Sequence, residues 1–240
     1  MPYSDVTRVL AIRHGETAWN RDARIQGQID IPLNDAGLAQ ARSLAQALAE
    51  DALAAVYSSD LLRAHQTAEA VAAAQGLVVQ ADVGLRERHF GDFEGRTYHE
   101  IDADLPELAQ RWRRRDPDFG PPGGEVLKAF FARSVSAIER IAASHRGQTI
   151  AVVCHGGVLD CLYRAATRLS LNAPRTWTVA NASINRLLFT DDGCTLVGWG
   201  DTQHLDGSDH APLDSRSAHA GHTAIAAAPP LDEGSDGGAA

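Results

Sequence analysis

Thr149-Ile150-Ala151-Val152-Val153-Cys154-His155-Gly156-Gly157 is the stretch that decides the fold. An apolar, β-favouring run stops at a histidine and two glycines, and Val158–Leu169 then carries helical spacing. A strand that is apolar throughout is buried on both faces, which is the habit of parallel sheets covered by helices. The same order of strand, turn and helix occurs earlier in the chain. Val9–Ile12 is a short apolar run ending at Arg13-His14-Gly15. Ala54–Tyr57 ends in Ser58-Ser59-Asp60 and leads into a helical Leu61–Gln75, with Gly76 as its C-terminal stop.

Leu77–Gln80 reads as a third strand. Asn34 or Asp35 caps a helix whose Leu38, Ala41, Leu44, Ala45 and Leu48 lie on one stripe. Leu105–Arg115 and Glu125–Ser144 read as helices, separated by the Pro- and Gly-bearing Asp116–Gly124. Ile184–Phe189 and Thr195–Trp199 are late strands joined by the turn Asp191-Asp192-Gly193. This alternation predicts an α/β sandwich with a mostly parallel central sheet.

Composition narrows the function. The 240 residues carry a formal charge of −9, with 44% hydrophobic and 22% charged residues, all ordinary for a globular chain. An acidic balance argues against nucleic-acid binding, which needs a basic surface to displace counterions. The longest apolar runs are about a strand in length, well short of the ~20 residues of a membrane span. Three dispersed cysteines, Cys154, Cys161 and Cys194, fit neither a disulfide framework nor a zinc knuckle. Met1–Arg8 has no apolar h-region. A reduced, cytoplasmic setting is expected.

The last 35 residues, Asp206–Ala240, are rich in Ala and Gly and contain no aromatic residue. They offer little apolar surface to offset ordering entropy, so residues 206–240 are expected to form a disordered acidic tail beyond a domain spanning 1–205. With six acids against one base, the tail holds −5 of the total charge and leaves the body at −4.

In open α/β sheets, ligands bind beyond the carboxyl ends of the strands. Those ends supply Arg13 and His14, Ser58 to Arg63, and His155, with Leu85-Arg86-Glu87-Arg88 following the third strand. Singly, each residue has a bland reading as a helix-face, turn or surface ion-pair residue. Jointly they suit phosphoryl transfer, in which catalysis is mostly positioning and electrostatic stabilisation. Arginine binds phosphate through a planar fork that stays charged. A neutral imidazole can attack phosphorus, and a carboxylic acid can shuttle the proton.

Beyond these positions, the chain resembles the histidine phosphatase superfamily, in its phosphoglycerate-mutase-like branch. The resemblance rests on ordered blocks. They are Arg13-His14-Gly15-Glu16-Thr17-Ala18-Trp19-Asn20, Arg24-Ile25-Gln26-Gly27, Tyr57-Ser58-Ser59-Asp60-Leu61-Leu62-Arg63-Ala64, Leu85-Arg86-Glu87, Pro122-Gly123-Gly124-Glu125 and Val153-Cys154-His155-Gly156-Gly157. It implies a three-layer α/β/α sandwich and a phosphohistidine at His14. By matched position it also implies that Arg13, Arg63 and His155 hold the phosphoryl oxygens and that Glu87 moves the proton. Asn20, Gln26 and Gly156 stand near phosphate or substrate, and no metal or other cofactor is implied.

The branch holds both phosphatases and mutases. Where its mutases carry a tyrosine and a lysine after the catalytic glutamate, this chain has Phe90 and Tyr98. Phe90-Gly91-Asp92-Phe93-Glu94-Gly95 looks like the phosphatase version, nearest the broad-specificity and α-ribazole-type enzymes. Glu87-Arg88-His89-Phe90 and Trp112-Arg113-Arg114-Arg115 look like the mutase. The expectation is a phosphomonoesterase acting on small phosphorylated metabolites. A 2,3-bisphosphoglycerate-dependent phosphoglycerate mutase is the alternative, and a catalytically inactive phosphate-sensing module a third. Arg113–Arg115 either meet a second anionic group on the substrate or form a solvated helix face. A homodimer stays open, while nucleic acid and membrane are not expected as partners.

Overall fold

The computed structural model describes residues 5–206 and 212–214. Its sheet has six strands in the order β3-β2-β4-β1-β5-β6. They are β1 (Thr7–Arg13), β2 (Leu53–Ser58), β3 (Val79–Ala81), β4 (Thr149–Cys154), β5 (Ile184–Thr190) and β6 (Gly193–Asp201). The pairs β3-β2, β2-β4 and β4-β1 are parallel, and β5 and β6 close the other edge as an antiparallel hairpin. The sheet is thus mixed, with the parallel half where the strand–turn–helix grammar predicted it.

Helices cover both faces. On one side α6 (Leu127–Ala143) and α7 (Gly156–Thr167) pack Phe130, Ile138, Ile141, Val158 and Leu162 against Val9, Ala11, Ile150 and Val152. On the other, α2 (Asp35–Ala47) and α3 (Leu62–Ala74) pack Leu44, Ala64, Ala68 and Val71 against Leu10, Ile12, Val56 and Val153. The alternating residues of β1 and β4 therefore feed two separate cores, which explains why both strands read as continuous apolar runs.

A smaller cluster of Ile25, Phe93, Ile101, Ala109 and Phe119 builds a lobe over the strand ends. There the helix expected over Leu105–Arg115 is α5 (Pro106–Arg113), and a further helix that was not expected, α4 (Tyr98–Asp104), precedes it. The break has a local cause. Pro106 disfavours helical backbone at Leu105, whose φ is −134°, and itself sits in the first turn of α5. The start of α4 was legible as a capping box, with Thr97 and Glu100 exchanging side-chain to backbone hydrogen bonds. The third strand lies at Val79–Ala81 rather than Leu77–Gln80. Likewise α7 begins at Gly156 rather than Val158, so the two glycines are its first turn and not a loop.

One expectation about the tail needs correction. Asp214 pairs with Ala180 in an isolated antiparallel bridge, Asn181 N donates to the Leu213 carbonyl (3.0 Å), and Val179 N donates to Asp214 Oδ1 (3.1 Å). Backbone pairing needs no apolar side chain, so a reading that weighed only apolar surface missed it. The expectation of disorder for residues 207–211 and 215–240 lies outside the described residues. Among the described residues, no helix is long and apolar enough to cross a membrane.

Candidate active site

A cavity of about 360 Å³ lies beyond the carboxyl ends of the parallel strands, lined by Arg13 and His14 of β1 and its turn, Arg63 of α3 after β2, and Gly156 and Gly157 of α7 after β4. From β1 come Arg13 and His14. The turn after them is tight: a Cβ on Gly15 would stand 2.6 Å from the Gly37 carbonyl oxygen, and one on Gly37 would stand 2.1 Å from the Glu16 carbonyl oxygen. Two glycines let the start of α2 pack directly on the loop that aims His14. Thr17 caps the short helix α1 (Ala18–Arg21) in a capping box with Asn20, which places Asn20 at the cavity. The Thr17 hydroxyl lies 3.0 Å from both Asn20 Oδ1 and Gln26 Oε1. Asn20 Oδ1 also accepts from Thr17 N (3.0 Å), which leaves the one hydroxyl hydrogen for Gln26 Oε1, and the NH₂ groups of Asn20 and Gln26 are the donors left for a ligand.

His14 is buried, and its Nδ1 lies 2.7 Å from the Gly15 carbonyl. A carbonyl only accepts, so Nδ1 carries the hydrogen and Nε2 carries the lone pair. Burial, with Arg63 and Arg13 nearby, holds the imidazole well below its ordinary pKa, so the ring is neutral at physiological pH. His155 follows β4 as the N-cap of α7, its ring tilted against that of His14 with centroids 5.2 Å apart. Burial is the main cause of its lowered pKa as well, with Arg63 next.

Arg63 stands in the first turn of α3, 1% exposed. It donates to the carbonyls of Gly27 (2.7 Å) and Ile29 (3.0 Å), which fixes its guanidinium. Arg13 donates through Nη1 to the carbonyls of Val179 and, at 3.3 Å, Leu213. Burial pushes both arginines down to about 10, which still leaves them charged at neutral pH. Neither Nε of Arg13 and Arg63 nor either ring nitrogen of His155 has a partner, although all are buried. Buried polar atoms are normally paired, so this convergent group of unpaired nitrogens is built for an anion.

Glu87 follows a 3₁₀ turn at Val83–Leu85. Its Oε2 accepts from Gly157 N at the start of α7 (2.9 Å), and its Oε1 accepts from Arg88 N (2.8 Å). Gln28 Nε2 and Arg133 Nη2 donate to its main-chain carbonyl (3.1 and 3.4 Å). Arg88 is buried beneath, donating to the carbonyls of Glu125 and Phe119 and so tying the Asp116–Gly124 segment to the site. Every expected site residue except His155 lines the cavity, namely Arg13, His14, Asn20, Gln26, Arg63, Glu87 and Gly156, and His155 lies against His14.

An aromatic wall faces the cradle. Tyr98 stacks on Trp112 (4.8 Å between centroids), Phe90 packs on the same indole, and all three line the cavity. Of the three consecutive arginines, Arg113 pairs with Asp102 outside the cavity, Arg114 does not line it, and Arg115 does. Asn181, Arg175, Asp160 and Leu213 also line the cavity and were not singled out by sequence reasoning. Asn181 donates to the carbonyls of His14 and Gly15. No local pattern marks these residues, which come from an irregular connection and a helix face. Among the described residues, no group of three or more His, Cys, Asp or Glu side chains could hold a metal ion.

The model of the histidine phosphatase superfamily, branch 1, matches residues 9–202. The chain belongs to the histidine phosphatase superfamily. Among its relatives, phosphoglycerate mutase-like protein 4 of Arabidopsis thaliana is 42% identical over 84% of this chain and 88% of that protein. Metal-independent phosphoserine phosphatase of the same plant is 38% identical over 84% of each chain. The solved structure of Bacillus stearothermophilus YhfR has a TM-score of 0.78 at 32% identity, covering 83% of this chain and all of that one. Both the expected α/β/α architecture and the expected family are met. The histidine phosphatase described here is an enzyme, a phosphatase of its superfamily.

Proposed function

We propose that this histidine phosphatase hydrolyses small phosphorylated metabolites through a covalent intermediate on His14. The observation that carries the reading is the pairing of a neutral, tautomer-fixed His14 with unpaired buried nitrogens from Arg13, Arg63 and His155. A phosphomonoester seated in that cradle presents phosphorus to His14 Nε2. The N–P bond forms as the ester O–P bond breaks, and the departing alkoxide takes a proton from Glu87. Water then attacks the phosphohistidine, giving its proton back to Glu87, and the N–P bond breaks to release phosphate. The arginines stay charged throughout and stabilise the oxygens as charge spreads in each transition state.

Hydrolysis is favoured over mutase chemistry by the cavity wall. Phe90 and Tyr98 stand where the branch's mutases carry tyrosine and lysine, and Lys128, the chain's single lysine, is exposed and paired with Asp118. Both His14 and Glu87 are in place, which disfavours an inactive phosphate-binding module.

Acid-quench labelling with a hydrolysable phosphoester tests the reading. It should trap an acid-labile phosphoprotein in the wild type and none in His14→Ala. Turnover by His14→Ala at the wild-type rate refutes the mechanism. Interconversion of 3- and 2-phosphoglycerate with little phosphate release would restore the mutase.

A further inference from the structure

Glu87 is held at its tip and, separately, at its main chain. At the tip, Oε1 and Oε2 accept from Arg88 N and Gly157 N. Both contacts are charge-assisted while the carboxyl is ionised and weaken when it takes up a proton. A group that gives up and regains a proton in one cycle needs a second hold that does not change with its charge.

Arg133 on α6 supplies that hold. Its five hydrogen bonds match the five N–H donors of a guanidinium. Nη1 donates to the carbonyls of Gly84 (2.9 Å) and Arg86 (3.1 Å), and Nη2 donates to that of Glu87 (3.4 Å). Nε and Nη2 form a fork on the Glu125 carboxylate (3.0 and 2.8 Å). A carboxylate partner alone would satisfy an arginine on a helix surface. Here three of the five bonds converge on the main chain of one short loop, and that loop ends in Glu87. Glu125 cancels the guanidinium charge, so the brace adds no net charge beside the proton carrier.

Packing fixes the same loop to the same helix. A Cβ on Gly84 would stand 2.7 Å from the Cβ of Ala137, one turn beyond Arg133. The Arg133 guanidinium lies over the Phe130 ring, 5.2 Å from its centroid. Phe130 in turn reaches Gly157, where an added Cβ would be 3.1 Å from that ring. One stretch of α6 thus locates the Glu87 main chain through Arg133 and, through Phe130, the glycine on which its Oε2 rests. Arg133 itself does not line the cavity.

We propose that Arg133 is a positioning residue for proton transfer. It fixes the Glu87 main chain, and with it the distance from the acid to the departing oxygen, without touching substrate. This rests on the reading of Glu87 as the proton carrier.

Esters that differ in their need for a proton test it. A departing alkoxide needs the acid, whereas a nitrophenolate leaves without one. The probes are 4-nitrophenyl phosphate and glycerol 2-phosphate, with 3-phosphoglycerate as the alkyl ester if the wild type turns over glycerol 2-phosphate too slowly. Glu87→Gln should lower kcat/KM for the alkyl ester by ~10²–10⁴-fold and for the aryl ester far less. Arg133→Gln should show the same selectivity at smaller size, with a loss of about 10–100-fold for the alkyl ester, at least ~5-fold greater than for the aryl ester. In the Glu87→Gln background the same change should cost little more, because nothing remains to be positioned. Arg133→Lys keeps the charge without the fork and should recover part of the loss. No loss, equal losses with both esters, or a full further loss in the Glu87→Gln background overturns the proposal and leaves Glu87 in its role. If Glu87→Gln itself shows no greater loss with the alkyl ester, the proton-carrier reading and the proposal fall together. Where Arg133→Gln does not fold, Arg133→Lys carries the comparison, and a loss no greater for the alkyl than for the aryl ester overturns the proposal.

Discussion

The carboxylate of Glu87 rests on the main-chain N–H of Gly157, 2.9 Å from Oε2, so close that a Cβ on Gly157 would stand 2.1 Å from Oε1. The second glycine of His155-Gly156-Gly157 therefore sets where the proton donor sits. Gly157→Ala should displace Glu87 while leaving the fold intact, since alanine favours the first turn of α7. A shift of about 1 Å costs on the order of 10²-fold in rate, so kcat should fall by roughly that factor with an unchanged far-UV circular dichroism spectrum. Wild-type kcat would show that Glu87 works from elsewhere. Gly156→Ala is the contrast: its Cβ meets only ordinary contacts at 3.6 Å and beyond, so its effect on kcat should be much smaller.

Arg63 lines the cavity, fixed by two carbonyls and with its buried Nε unpartnered. Arg63→Ala should lower kcat/KM by ~10²–10³-fold, as loss of one preorganised donor at developing charge does elsewhere. Arg63→Lys keeps the charge and loses the fork, so it should recover only part of that loss. Near-normal kcat/KM in the alanine variant would remove Arg63 from the site. The melting temperature should fall as well, because the Gly27 and Ile29 carbonyls lose their donor.

How much of this was legible follows from where the signals reside. Arg13, His14, Arg63, Glu87 and His155 follow strand ends or the first turn of a helix, and a strand end is marked by an apolar run meeting glycine or serine. Asn20 and Gln26 needed the resemblance, because their placement depends on a hydroxyl bridge through Thr17 that no periodicity encodes. Arg175 and Asn181 lie in the connection between α7 and β5, whose path is set by tertiary packing alone. Asp160 reads as one polar residue in a helix until the fold brings Arg115 onto it from a residue 45 positions away. The boundary between α4 and α5 is written locally in Leu105-Pro106, and α4 itself in the capping box of Thr97 and Glu100, which a reading led by apolar spacing passed over.

Protonation of the two site histidines predicts a pH dependence of stability. Both folded-state pKa values lie well below that of an ordinary imidazole, with burial the largest cause and nearby arginines next. In the unfolded chain the same rings take up protons near pH 6.5. Below that pH the unfolded state binds more protons than the folded one. Stability is therefore full above about pH 6.5 and falls as the pH drops, until the folded-state values are reached. Each histidine contributes at most ~1.4 kcal/mol per pH unit to that slope. Urea midpoints of wild type and His14→Asn between pH 7.5 and 5 should diverge in slope by up to one proton. Parallel curves would mean that His14 titrates alike in both states.

The contact between Leu213 and Arg13 ties part of the expected tail to the site. The Leu213 carbonyl accepts from Arg13 Nη1 (3.3 Å) and from Asn181 N (3.0 Å), and Asp214 Oδ1 accepts from Val179 N (3.1 Å). Val179 in turn holds Arg13 through its own carbonyl. The segment therefore bears on the phosphate-facing arginine twice, by its own carbonyl and by bracing residues 179–181. Deleting residues 206–240 removes a hydrogen bond to a charged group, a class worth ~1.5–3 kcal/mol. If most of that is expressed in the transition state, kcat/KM should fall by about 10–100-fold. The melting temperature should move little, because neither large core includes these residues. Unchanged kcat/KM after the deletion would show that Arg13 is oriented by Val179 alone.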